Sequence, residues 1–178
     1  MELHLLSHQA AFQANNLFAV GLTTVFERFT QGYRPVEHPA ALLSALCSSN
    51  GFDAEQLKQD AQQCLQEAKG HSDDAFQGWL KKQSLSAGAH YSRLMAVGLL
   101  ALLEGSSDES DAGALRQQAI DLSPDLGLPA ERVEKDLTVF SSNSERMEQA
   151  VELMQETLAA ERRKKERRLA EAAQGSAS

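Results

Sequence analysis

The sequence predicts an all-α fold, a single-domain helical bundle with a long protruding C-terminal helix. Composition is the first reason. The 178 residues hold one Ile, seven Val and five Thr against twenty-five Leu, so strand formers are scarce and helix formers plentiful. The second is a repeated phrase. Residues 17–27, Leu-Phe-Ala-Val-Gly-Leu-Thr-Thr-Val-Phe-Glu, return at 94–104 as Leu-Met-Ala-Val-Gly-Leu-Leu-Ala-Leu-Leu-Glu, with six of eleven positions identical. The third is an apolar rhythm of alternating four and three residues through Val133, Leu137, Phe140, Ser144, Met147, Val151, Met154 and Leu158, the spacing that keeps side chains on one face of a helix.

Taken in order, residues 1–14 read as the tail of a helix, with no capping residue ahead of Leu3, Leu5 and Leu6. The first copy of the phrase begins a helix near Asn16, capped by Asn15 or Asn16, and ends at Gly32. Pro39 suits the opening of a helix, which Asn50-Gly51 closes. Asp53 and Gln56 resemble a capping box for a helix ending near Gly70. Ser72, Asp73 and Asp74 open a short helix holding Trp79. Residues 83–90 form a loop, the second copy runs to Glu104, and residues 105–113 are an acidic connector. A short helix reaches Leu122 ahead of Pro124, and Leu128-Pro129 opens the last element. Ser141-Ser142-Asn143-Ser144 reads locally as a break, but the apolar phase passes through it unchanged, which predicts one helix from about 130 to 170. At 1.5 Å per residue this is roughly 60 Å long. The expected organisation is a core domain over 1–128, the long helix over 129–170, partly packed and basic at its outer end, and a disordered tail over 171–178.

The glycine in the middle of each copy needs a reason, because Gly inside a helix costs roughly 1 kcal/mol against Ala. Gly21 and Gly98 are expected at a close crossing of two buried helices, where a missing Cβ lets backbones approach.

Formal net charge is −8, against the basic balance of a general nucleic-acid binder. The charge is uneven: residues 162–168, Arg-Arg-Lys-Lys-Glu-Arg-Arg, carry +5 alone. Arg162, Arg163, Lys164, Lys165, Arg167 and Arg168 form either a solvated helix end whose cations favour the C-terminal dipole, or a docking segment for an acidic protein face or anionic lipid. Tyr33-Arg34-Pro35 is either a contact loop or a helix terminator whose Tyr packs back on the core. Glu27 and Glu104 are expected to pair, buried, with Arg28, Arg34 or Arg93. His4 and His8 share a face but lack a third metal ligand. Cys47 and Cys64 lack a metal or redox spacing and read as buried thiols. No nucleophile elbow, phosphate loop or dinucleotide fingerprint occurs, so neither catalysis nor a cofactor is expected. The longest apolar run, Leu94–Leu103, is half the length of a membrane span, and no secretory signal is seen, so a soluble protein is expected.

Several stretches together resemble the thylakoid-formation family of cyanobacteria and plastids, also called photosystem II biogenesis proteins. They are Glu2-Leu3-His4-Leu5-Leu6, Leu17 to Pro35, Tyr91-Ser92-Arg93-Leu94 with Ala96-Val97-Gly98-Leu99, Glu134-Lys135-Asp136-Leu137, and Met147-Glu148-Gln149-Ala150 through Arg167. The ordered set spans residues 2–168. The resemblance implies a helical, non-enzymatic protein held peripherally on the cytoplasmic or stromal side of the thylakoid membrane. It further implies a role in photosystem II assembly and repair and in thylakoid organisation, exercised through an FtsH-type thylakoid protease. A membrane-surface organiser binding anionic lipid through the basic helix end is the alternative. Family members usually carry a further helix ahead of the segment that starts here at Glu2. Without it, Leu3, Leu5 and Leu6 are expected to border an open groove that favours dimerisation or aggregation.

Overall fold

The computed structural model describes residues 2–71, 73–106 and 111–175. Among them the chain forms eight α-helices and no strand. The helices are α1 (Glu2–Ser7), α2 (Asn16–Thr30), α3 (His38–Ser48), α4 (Ala54–Lys69), α5 (Asp73–Leu80), α6 (Arg93–Ser106), α7 (Ala112–Leu122) and α8 (Ala130–Gly175). The all-α expectation holds. The chain divides into two units, residues 1–141 and 142–178. Ser72, residues 107–110 of the acidic connector and residues 176–178 of the expected tail lie outside the described residues.

The predicted caps operate as physical chemistry requires. Asn15 accepts from the Phe18 amide at 2.9 Å. Asp53 accepts from the Glu55 and Gln56 amides at 2.9 and 3.1 Å, and Asp111, a cap not foreseen in the sequence, accepts from the Ala114 amide. These bonds satisfy amides that a helix start leaves without partners. The Asp53 box is only half formed, because the Gln56 side chain turns forward to Asp60 instead. Gly51 stands in the left-handed region at φ 77° and ends α3 as expected.

The centre of the first unit is α6. Every residue from Leu94 to Leu103 is buried, as befits a helix that is apolar all round. Its most extensive partner is α2, with α4 and α7 also against it. Helix α2 is buried over Leu17–Thr23 and half exposed beyond.

Gly21 and Gly98 lie at the α2–α6 crossing. A Cβ on Gly21 would stand 2.6 Å from the Leu94 carbonyl carbon, closer still to its oxygen, and 3.0 Å from the Gly98 nitrogen. A Cβ on Gly98 would stand 2.8 Å from the Leu17 carbonyl carbon and 3.0 Å from the Gly21 nitrogen. Each glycine therefore sits on the carbonyl one turn before the other, and the contact is nearly two-fold symmetric. Further along, Arg28 pairs with Glu104 at 3.4 Å, so the two helices run in the same direction. The repeated phrase is the sequence record of this contact.

Two local expectations need correction. The Glu104 pair is not buried: its side chains are 38% and 35% exposed, because Arg28 keeps its charge in water while lying over the Phe140 ring. The opening helix stops at Ser7, not near residue 14; residues 8–15 form turns that carry Phe12 onto Phe18 and Phe52. Leu3 and Leu6 are buried, and of the three opening leucines only Leu5 is exposed, at 60%.

The serine-rich stretch at 141–144 continues the helix, so α8 is one element of 46 residues. Within the first unit it buries Val133, Leu137 and Phe140. Further along the same rhythm Ser144 is buried, whereas Met154 and Leu158 are exposed. Cys47 and Cys64 are both buried free thiols; burial raises both thiol pKa values, that of Cys64 to about 12.

Candidate functional site

The basic run lies in the second unit. Residues 152–168 of α8 are all exposed, so Arg162, Arg163, Lys164, Lys165, Arg167 and Arg168 present their charges to solvent. A helix advances 100° per residue, and six cations among seven consecutive positions surround the axis. The ion pairs formed among the described residues are Arg28–Glu104, Lys81–Asp125 and Arg93–Glu2, so none engages this run. Arg163 does turn its Nε back to the Ala159 carbonyl at 3.3 Å. The fading of apolar residues after Leu158 is the signal that marks this stretch in the sequence.

The turn after α2 belongs to the first unit. Tyr33 is 46% exposed and its ring lies 6.2 Å from that of His38, so it does not pack into the core. Arg34 is exposed beside it, and Val36, Leu42 and Leu46 are exposed nearby along the chain. Gly21 and Gly98 meet, as described. His4 and His8 place their rings edge to face at 4.8 Å.

One site was not foreseen. Glu2 accepts from the Ser92 hydroxyl at 2.7 Å through Oε1 and forms an ion pair with Arg93, Nε to Oε2, at 2.5 Å. The adjacent Tyr91 hydroxyl donates to Asp136 Oδ2 at 2.9 Å, and the Arg132 guanidinium lies 5.0 Å over the Tyr91 ring. Burial, with the Asp136 carboxylate beside it, pushes the Tyr91 phenol pKa far up and keeps it a hydrogen-bond donor. Glu2, Tyr91, Arg93, Arg132 and Asp136, with Leu5, Leu6, Gln9 and His90, line a pocket of about 250 Å³. It gathers residues from α1, from the start of α6 and from α8. Three stretches that carry the resemblance thus meet at one place, although none contains a recognisable site motif alone. Among the described residues no three His, Cys, Asp or Glu side chains are grouped to hold a metal, and no helix is long and apolar enough to cross a membrane.

Comparison with known proteins agrees with this architecture. The family model described as Thylakoid formation protein matches residues 1–169. Protein Thf1 of Parasynechococcus marenigrum (strain WH8102) is 86% identical over 177 residues, covering 99% of this chain and 84% of that protein. Protein Thf1 of Synechococcus sp. (strain CC9605) is 55% identical, covering 100% of this chain and 84% of that protein. The solved structure of Psb29 superposes with a TM-score of 0.79 at 33% identity, covering 92% of this chain and 83% of that one. With the family model spanning nearly the whole chain and the fold shared with Psb29, this chain belongs to the thylakoid formation protein family.

Proposed function

We propose that this protein is a non-enzymatic helical adaptor in photosystem II biogenesis and repair and in thylakoid organisation, which acts by docking the basic stretch of α8 on an acidic protein surface. The observation that carries the reading is the exposure of six cations on all sides of one helical segment, on a chain otherwise acidic. Membership of the thylakoid formation family supports the cellular setting. Within that setting the partner of choice is an FtsH-type thylakoid protease complex or a photosystem II component, met on the cytoplasmic or stromal side of the membrane.

Helical geometry favours a protein partner over bare lipid. A flat bilayer touches a rod along one side and so engages about half of the encircling cations. A helix lying in the membrane interface also needs a continuous apolar face, and residues 159–168 offer only two alanines. A recessed acidic surface reaches more of the charge.

The test is the quadruple variant R163E, K164E, R167E and R168E, assayed by co-purification from solubilised thylakoids and by flotation with anionic vesicles. Surface substitutions of this kind leave folding stability within about 0.5 kcal/mol. The wild type is expected to capture its partner, to release it as salt rises past the point where screening falls to about 8 Å, and to float weakly. The variant loses capture with an unchanged circular dichroism spectrum. Capture of the same partner at wild-type levels by the variant would overturn the reading and direct attention to Tyr33 and Arg34. Strong flotation of the wild type, lost in the variant, would favour the membrane-surface organiser instead.

A further inference from the structure

The pocket between α1, α6 and α8 has an unequal hydrogen-bonding inventory. Its two carboxylates each have a partner: Glu2 accepts from Ser92 through Oε1 and pairs with Arg93 through Oε2, and Asp136 accepts from Tyr91 through Oδ2. Its donors are not exhausted. Arg93 pairs with Glu2 through Nε, one nitrogen of a guanidinium that carries five N–H donors. Among the described residues Arg132 pairs with no carboxylate and rests on the Tyr91 ring. His90 and Gln9 add further polar capacity at the rim. Spare arginine donors beside carboxylates that already have partners suit a small anion, and paired N–H groups of arginine match the two oxygens of a carboxylate.

The remaining wall is apolar. Leu6, buried, and Leu5, 60% exposed, both line the pocket. An exposed leucine beside a cluster of donors gives one end for charge and one for hydrocarbon. The volume of about 250 Å³ falls below the roughly 300 Å³ at which pockets for drug-sized ligands begin, so the space suits one residue-sized group. The lining residue Tyr91 is held firmly, 6% exposed beside a 2% exposed Ser92, and the His90 amide is fixed to the Ala11 carbonyl at 2.9 Å.

We propose that this pocket binds a carboxylate bearing a small branched apolar group, its oxygens on Arg132 and Arg93 and its hydrocarbon on Leu5. The group is either a free organic acid or the C-terminal residue of a peptide, and both present the same chemistry. The site is separate from the basic run of α8, so its test stands apart from the docking experiment.

Isotope-labelled protein is titrated with N-acetyl-leucine, with its primary amide, and with a tetrapeptide of three glycines ending in leucine. Amide shifts of His90, Tyr91 and Arg93 report binding. The acid is expected to shift these signals to saturation, and the amide to bind roughly tenfold more weakly, the usual scale of one lost charge-assisted contact. Arg132 is exposed, so Arg132→Gln leaves the core untouched; it should weaken the acid by roughly tenfold and the amide hardly at all, and Arg132→Lys should recover part of the loss. Leu5→Ser should weaken acid and amide alike. Tighter binding of the tetrapeptide than of N-acetyl-leucine identifies a chain end; equal binding identifies a free acid. Equal affinity for acid and amide, an unchanged affinity in Arg132→Gln, or shifts confined to other parts of the protein would overturn the proposal.

Discussion

Helices α2 and α6 share the same phrase and the same glycine, yet they are buried to different depths. In α6 all ten residues from Leu94 to Leu103 are inside. In α2 burial ends at Thr23, and the positions after it are half exposed. The identical residues are not those that make both helices apolar in general; they centre on Leu17, Gly21, Leu94 and Gly98, where backbone meets backbone. The two copies differ at Thr23 and Leu100 and at Thr24 and Ala101, and their helices have different neighbours: α4 packs on both, and α7 on α6. The difference teaches that the repetition encodes one mutual contact, whereas the substitutions within it record how many other helices each copy touches.

The largest effect should come from filling the contact itself. Gly21→Leu and Gly98→Leu each drive a side chain into the partner's carbonyl, which cannot swing aside as a side-chain end can. Each should cost about 3 kcal/mol or more, at or above the upper end of ordinary overpacking. Because the contact is mutual, the two losses should be alike despite the unequal burial of the helices. Urea denaturation of both variants checks this, and a variant as stable as wild type would break the comparison.

A smaller, asymmetric effect should appear one turn later. Ala101 is 9% exposed and its echo Thr24 is half-buried. Ala101→Leu should destabilise by about 1–3 kcal/mol, while Thr24→Leu should stay within about 0.5 kcal/mol. Thermal unfolding of the pair measures whether neighbours, and not the phrase, decide tolerance.

The smallest effect concerns the ends of the two helices. Arg28 and Glu104 pair at 3.4 Å with both side chains more than a third exposed. Glu104→Gln should cost less than about 1 kcal/mol and lose even that in high salt. Arg28→Ala should cost somewhat more, since it also uncovers the Phe140 ring.

Much of this was legible beforehand because it is local. Caps at Asn15 and Asp53 depend on a side chain and amides two or three residues away, so the residues alone disclose them. The continuity of α8 through Ser141–Ser144 was legible because apolar phase outweighs local propensity. The glycine crossing could be read from repetition, which is unusual for a long-range contact. The pocket could not. Glu2, Tyr91 and Asp136 are each ordinary in their own segment, and only folding places Ser92 and Arg93 around Glu2. The stop of α1 at Ser7 was also hidden, because Phe12 leaves the helical path to join Phe18 and Phe52, partners remote in chemistry from any turn signal.

The most direct test of the mutual contact is the double variant Gly21→Ala with Gly98→Ala, measured against the two single variants by urea unfolding. Alanine in either position gains roughly 1 kcal/mol of helix propensity over glycine, but its Cβ would strike the opposing carbonyl, so each single variant should still be destabilised. Helices forced apart by one methyl have already opened room for the other. The double variant should therefore cost clearly less than the sum of the singles, by about 1 kcal/mol or more of coupling. Strict additivity within about 0.3–0.5 kcal/mol, or singles more stable than wild type, would contradict a shared glycine crossing.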